Sequence, residues 1–231
     1  LLEVRQGDTQ HYCFTFGMGP LVRILNEYEN GSKGIPAALS IAAKSMTSVW
    51  TGKPENFQHV LAEMDGQLWL DEELQPYNSW AGCFCNITGK VHIGAEPFPG
   101  PRRRETFYTM NYAISRRELA LLFPMLVRGH RPIDARALLE PVSTWKRLAM
   151  AYLGKDSFPV DPRYINTTAQ RFEIRSSEKI YTVDGEVLQS TGEPITVALG
   201  PTIRVAVSPT VGLGSATRLA AGVARLADIS R

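Results

Sequence analysis

The stretch Lys179-Ile180-Tyr181-Thr182-Val183-Asp184-Gly185-Glu186 sets the reading of the whole chain. Ile180, Tyr181, Thr182 and Val183 are β-branched or aromatic, which suits a pleated strand. Asp-Gly directly after such a run is a strong signal for a tight hairpin turn, because both residues tolerate positive φ. Working outward, Ala169–Arg175 alternates wet and apolar positions and reads as a strand with one wet face. Ile195–Leu199 and Ile203–Val207 read as apolar strands parted by Gly200-Pro201. His11–Phe16, Trp80–Ile87 and Thr106–Ile114 add further strands, and Leu1-Leu2-Glu3-Val4 reads like the middle of one. A second Asp-Gly, in Met64-Asp65-Gly66, predicts another hairpin between Phe57–Glu63 and Gln67–Leu70.

Helical spacing appears at Leu21–Tyr28, which Asn30-Gly31 would close with a residue at positive φ. It appears again at Ile35–Trp50, with Pro36 suited to the first turn. Arg116–Arg128, Pro132–Leu153 and Val211–Ile229 carry it too, the last with Leu219, Val223 and Leu226 on one side. Hairpin signals outnumber βαβ signals. The expected fold is therefore α+β, a mainly antiparallel β-sandwich with helical insertions. No internal repeat stands out.

The chain has 231 residues and a formal net charge of +2. At this length roughly 70% of the unfolded surface can be buried, enough for a self-supporting core. Hydrophobic residues at 44% and charged residues at 21% are globular values, against disorder or coiled coil. The near-neutral balance offers no footprint for nucleic acid. The longest apolar runs fall short of the ~18–20 residues that span a bilayer. Cys13, Cys83 and Cys85 make no disulfide framework, and the first residues lack a signal-peptide pattern. Both point to a reducing, cytoplasmic compartment. The non-Met start suggests a fragment or processed product.

No Walker A loop and no nucleophile elbow occur. Gly17-x-Gly19 and Gly212-x-Gly214 each supply part of a dinucleotide fingerprint. The second could hold an anion at a helix start, though a plain capped helix explains it as well. Cys83-x-Cys85 with His92 offers three metal ligands, but a structural zinc needs four, so buried free cysteines are the plainer reading. Arg102-Arg103-Arg104 is the single basic run: a phosphate or anionic-lipid contact, or a solvated loop. Asn30-Gly31-Ser32, Asn86-Ile87-Thr88 and Asn166-Thr167-Thr168 are glycosylation-type triplets of the kind chance produces. In Asp184-Gly185-Glu186 two carboxylates flank a glycine, a pair able to orient a hydroxyl or a Mg²⁺-bound water.

The order of these features resembles the C-terminal domain of the diacylglycerol kinase, bacterial lipid kinase and sphingosine kinase family. Cys13-Phe14-Thr15-Phe16-Gly17 and helices to Trp50 match its opening strand and helices. Met64-Asp65-Gly66-Gln67 matches its Asp-Gly hairpin. Phe84-Cys85-Asn86, running on to Pro97 and Pro99, matches its strand ending in Asn. Thr106–Ile114, Arg116–Leu153, Ala169–Arg175 and Asp184–Glu186 follow in the family's order. The resemblance implies a lipid-kinase-like β-sandwich domain over 1–209, with a helical insertion at about 116–154 and a C-terminal helix over 210–231.

It also implies a role in phospholipid metabolism: ATP- and Mg²⁺-dependent transfer of a phosphoryl group to a lipid hydroxyl such as that of diacylglycerol. Asp184 would act in the base or Mg²⁺–water network, with Glu186 supporting it. Asn86 and Arg102, Arg103 and Arg104 would contact substrate or phosphate. The family's nucleotide-binding domain, with its Gly-Gly-Asp-Gly-Thr loop, is missing from these residues. The implied partners are a lipid substrate, an upstream nucleotide-binding domain in the same chain or another, and a membrane touched peripherally. Alone, the chain should bind ATP poorly and not turn over. Where the family carries an Asp-Gly for a structural divalent ion, this chain has Arg103-Arg104-Glu105-Thr106. Glu105 is the one acid left there, and the arginines disfavour a cation. That loss favours an alternative, a non-catalytic lipid- or partner-binding module of the same fold.

Overall fold

The computed structural model describes residues 1–31, 35–53, 55–89, 102–126 and 160–203, with isolated positions at 98, 130, 132, 134, 143, 145, 146 and 149. By packing, the chain divides into Leu1–Pro201 and Thr202–Arg231. The expected strand Ile203–Val207 beyond its first residue, the helix Val211–Ile229, Gly212–Ser215, and most of Pro132–Leu153 lie outside the described residues.

Within Leu1–Pro201 the strands are β1 Leu2–Gln6, β2 Thr9–Cys13, β3 Thr15–Met18, β4 Met64–Leu70, β5 Glu73–Leu74, β6 Ser79–Trp80, β7 Gly82–Asn86, β8 Phe107–Tyr112, β9 Tyr164–Ala169, β10 Arg171–Ser176, β11 Ile180–Val183, β12 Glu186–Gln189 and β13 Ile195–Leu199. The helices are α1 Pro20–Glu29, α2 Ile35–Thr51 and α3 Arg116–Leu126. One sheet runs β2-β1-β13-β10-β4-β5, with β6 also on β4, and the other runs β12-β11-β3-β7-β8-β9. All pairings are antiparallel. The expected α+β sandwich is what forms.

Both sheets turn apolar side chains inward. Leu2, Val4, Leu68, Phe172, Ile174, Ile195 and Val197 from one sheet meet Phe16, Met18, Cys83, Cys85, Phe107, Tyr181 and Val183 from the other. Phe16 and Phe172 meet edge to face across the core, ring centroids 5.7 Å apart. A second apolar cluster joins α2 and α3 to the outer face of β8 and β9 through Val49, Leu119, Leu122, Met125, Tyr112 and Tyr164. There Arg163 clamps Glu118 of α3, at 2.9 and 3.0 Å, and Tyr164 donates to the same carboxylate at 2.6 Å.

The connectivity repeats. Each hairpin lies in one sheet, and the chain then crosses to the other: β1-β2 then β3, β4-β5 and the short β6 then β7, β8-β9 then β10, β11-β12 then β13. Replacing β1, β2, β3, β4, β5 and β7 by β8, β9, β10, β11, β12 and β13 converts one sheet order into the other. The repeat is topological. The helices after β3 and the long connection between β8 and β9 interrupt it differently in each half, so no fixed period survives in the residues.

Several expectations need correction. Asp65-Gly66 is no hairpin turn; both residues sit inside β4, and Phe57–Glu63 is no strand but the end of a 3₁₀ turn, Glu55–Phe57, and the turns that follow it. Gly66 serves a close approach instead, since a Cβ there would lie 2.7 Å from the Arg175 carbonyl oxygen. The buried Trp80 indole N–H also donates to the Gly66 carbonyl at 3.0 Å. Asn30 stays right-handed (φ −84) and caps by donating its amide to the Asn26 carbonyl, at 2.9 Å. The expected strands His11–Phe16 and Ala169–Arg175 are each broken, at Phe14 and at Gln170, where the chain changes sheet.

Phe172→Ala should lower unfolding stability by about 3–5 kcal/mol, the usual loss for a fully buried aromatic ring. Urea denaturation checks it; a loss below about 1 kcal/mol would contradict the core assignment.

Candidate functional site

The Asp184-Gly185 turn joins β11 to β12, with φ 52 at Asp184 and 91 at Gly185. Both values fit a type I′ hairpin, whose twist matches the flanking strands. The turn projects Asp184 toward the corner where the chain leaves β2 for β3. Its carboxylate accepts the Phe14 N–H at 2.9 Å on Oδ1 and 3.1 Å on Oδ2, and the Thr15 N–H at 2.8 Å on Oδ1. Its own N–H donates to the Thr15 carbonyl at 2.9 Å. At a corner two successive N–H groups lose their ladder partners, and one carboxylate supplies both.

Asn86, at the end of β7, lies beside Thr15 in register. Its side chain is 2% exposed. The amide Nδ2 donates to Thr15 Oγ1 at 3.0 Å, and Oδ1 accepts from Thr88 N at 2.7 Å, Thr88 Oγ1 at 2.8 Å and Gly89 N at 2.7 Å. Asn86 therefore organises the turn after β7. The triplet Asn86-Ile87-Thr88 is a fold-bearing turn with its Asn amide sequestered.

The register brings the sequence candidates to one end of one sheet. Glu186 pairs with Val183, Val183 with Phe16, Phe16 with Cys85 and Cys85 with Thr109. The adjacent row holds Asp184, Thr15, Asn86 and Tyr108. Glu186 is exposed, with its carboxylate unpaired among the described residues. Arg102, Arg103, Arg104 and Glu105 precede β8 at this same end and are exposed; the chain turns there at Glu105, φ 58, where Thr106 Oγ1 donates to the Arg103 carbonyl at 2.8 Å. Phe98 is buried on the outer face of this sheet, against Phe84 at 6.2 Å and Tyr108 at 5.2 Å.

One residue had no sequence signal. Asp71, in the β4–β5 turn, accepts the Gln170 and Arg171 N–H groups on Oδ1, at 2.7 and 2.9 Å. Its N–H donates to the Arg171 carbonyl at 2.9 Å. This repeats the Asp184 arrangement at the corner from β9 to β10. The turn lacks a glycine, so Asp71 (φ 50) and Glu72 (φ 70) both carry the strain of positive φ.

Partial desolvation pushes the Asp184 pKa above its ordinary value, against the pull of the Phe14 and Thr15 N–H groups. Cys13, Cys83 and Cys85 are free and buried. Burial, with Asp184 nearby, pushes the Cys13 thiol up to about 12, and burial drives Cys83 and Cys85 well above the usual thiol range. These are core thiols without thiolate character. His92 lies outside the described residues.

No protein-family model and no curated protein matches the sequence. Solved structures of diacylglycerol kinase-like proteins from Bacillus anthracis str. Sterne do resemble it. One is 11% identical at a TM-score of 0.44, over 85% of this chain and 53% of that one. A second is 12% identical at 0.42, over 85% and 52%. The chain thus spans about half the length of these structures.

A carboxyl whose pKa is raised on folding adds stability below its unfolded pKa, and that contribution is lost as pH rises through the folded value. Asp184→Asn keeps Oδ1 as acceptor and removes the charge. At neutral pH it should unfold at the same or higher urea concentration than the parent, an advantage that shrinks in acid. Asp184→Ala should lose about 1–2 kcal/mol, because two N–H groups lose their acceptor. Equal stabilities for the two variants would remove the corner role. Glu72→Gly should gain about 0.5–1 kcal/mol by relieving the left-handed backbone, read from the same denaturation curves.

Proposed function

We propose that this chain is the lipid-substrate domain of an ATP-dependent lipid kinase, acting with a nucleotide-binding domain that these residues do not contain. The observation that carries the reading is the link from Asp184 through Thr15 to Asn86. Motifs far apart in the chain, recognised by their order, meet at one sheet end with Glu186 one strand away.

The chemistry is transfer of the ATP γ-phosphoryl group to a lipid hydroxyl. A bond forms between the hydroxyl oxygen and phosphorus, the bond from phosphorus to the ADP oxygen breaks, and the hydroxyl proton leaves. A carboxylate offers about four acceptor positions, and the corner uses three of those on Asp184. Oδ2, with the single longer bond, keeps capacity for that proton. A raised pKa makes Asp184 a better acceptor of it. Hard oxygen donors suit Mg²⁺, so Asp184 and Glu186 are the residues that would hold it directly or through water. When bound, the ion would neutralise phosphate charge.

A second reading rests on a specific observation. Asp71 holds its corner in the same way as Asp184, so the carboxylate at Asp184 has an architectural duty that needs no catalysis. The domain would then bind a lipid or partner chain.

The full-length gene product separates the two. It is assayed for phosphate transfer from labelled ATP to diacylglycerol in neutral detergent micelles. Asp184→Asn should lower kcat by about 10²–10⁴-fold at unchanged melting temperature, the usual contribution of a general base. Activity within about twofold of the parent would overturn the catalytic role and leave the second reading.

A further inference from the structure

We infer that the loop Arg102-Arg103-Arg104 is an electrostatic contact for a membrane surface rich in anionic phospholipid, which would set the Asp184 end of the sheet against the bilayer. This rests on the lipid-kinase reading, since it supplies the route by which a lipid would reach that end. The loop enters β8 through a turn built by backbone and Thr106 alone, leaving the guanidinium groups out of the fold. All three side chains are exposed, and none has a hydrogen bond or ion pair among the described residues. Such unpaired neighbours repel one another, so the arrangement favours an external array of negative charge.

The acids at this end do not cancel them. Glu105 offsets one. Asp184 lies on the β11 turn, three strand steps from β8, or about 14 Å at the usual strand spacing. That exceeds the screening length of about 8 Å at physiological salt. A second feature favours a bilayer over a soluble polyanion. Phe14, at the β2–β3 corner on this end, is 37% exposed. Its carbonyl accepts the Ile87 N–H at 3.0 Å, which fixes the residue beside the turn that follows Asn86. An exposed aromatic ring at the same sheet end as a basic cluster suits the headgroup region, where a ring buries its apolar body.

The experiment is co-sedimentation of the protein with vesicles of phosphatidylcholine, with and without phosphatidylglycerol, at low and high salt. Binding should require phosphatidylglycerol and fall with salt. Replacing all three arginines (Arg102→Gln, Arg103→Gln, Arg104→Gln) should weaken it by on the order of a hundredfold, at about fivefold per arginine near an anionic surface. Phe14→Ser should weaken it by a smaller factor. Glycerol phosphate and single-stranded RNA, tested as soluble competitors, should fail to displace the protein from vesicles. Equal binding by the triple variant, no binding by the parent, or displacement by either competitor would overturn the proposal. Melting temperature confirms that the variants fold. Vesicle binding is read without ATP or turnover, and the kinase reading is read from Asp184→Asn in neutral detergent micelles, so failure here is distinguishable from failure of the kinase reading.

Discussion

When a strand leaves one sheet and enters another, the backbone bends at a corner where consecutive N–H groups lose their partners. Unmet, each such group weakens the fold by about as much as a lost hydrogen bond. Here one aspartate carboxylate, delivered by a neighbouring hairpin, meets the need at each of two corners: Asp184 for Phe14 and Thr15, Asp71 for Gln170 and Arg171. Each hairpin turn adds a backbone bond in return. The sandwich core depends on these corners, because they bring Phe16 of β3 and Phe172 of β10 onto facing sheets.

The same constraint places the candidate site. Asp184 must stand where it reaches the β2–β3 corner, and Thr15 at that corner is where Asn86 docks. The acidic turn, the Asn86 turn and the start of β8 are thereby collected at one sheet end by architecture alone. The chemistry proposed there would use what the corner leaves over: the second oxygen of Asp184 and the exposed carboxylate of Glu186. The corner at Asp71 has no buried asparagine described beside it, and Arg171, Glu173 and Arg175 occupy the nearby face in mutual pairs.

Local pattern was informative where local physics decides. The Asp184-Gly185 hairpin, α1, α2 and β13 follow from turn chemistry and periodicity, and the sandwich follows from their order. It failed where distant partners decide. His11–Phe16 and Ala169–Arg175 each look like one strand, because the residues that break them act from 170 and 99 positions away. Asp65-Gly66 looks like a turn, because the close approach of Arg175 and Ser176 that requires a glycine comes from another strand. Tyr164–Ala169 carries a polar Asn-Thr-Thr run, and it forms an edge strand through pairing with β8. The roles proposed for Asp184, Glu186 and Asn86 came from the order of motifs, and their proximity is a tertiary property that composition cannot hold.

The most direct test of the account is amide hydrogen exchange and pH titration by NMR at Phe14, Thr15, Gln170 and Arg171. All four N–H groups should be protected. Those of Phe14 and Thr15 should shift together with pH, following one carboxyl whose pKa lies above the ordinary aspartate value. Exchange at the rate of open loop amides, or Phe14 and Thr15 N–H signals that do not titrate together with one carboxyl, would contradict the placement of Asp184 at the centre of this fold.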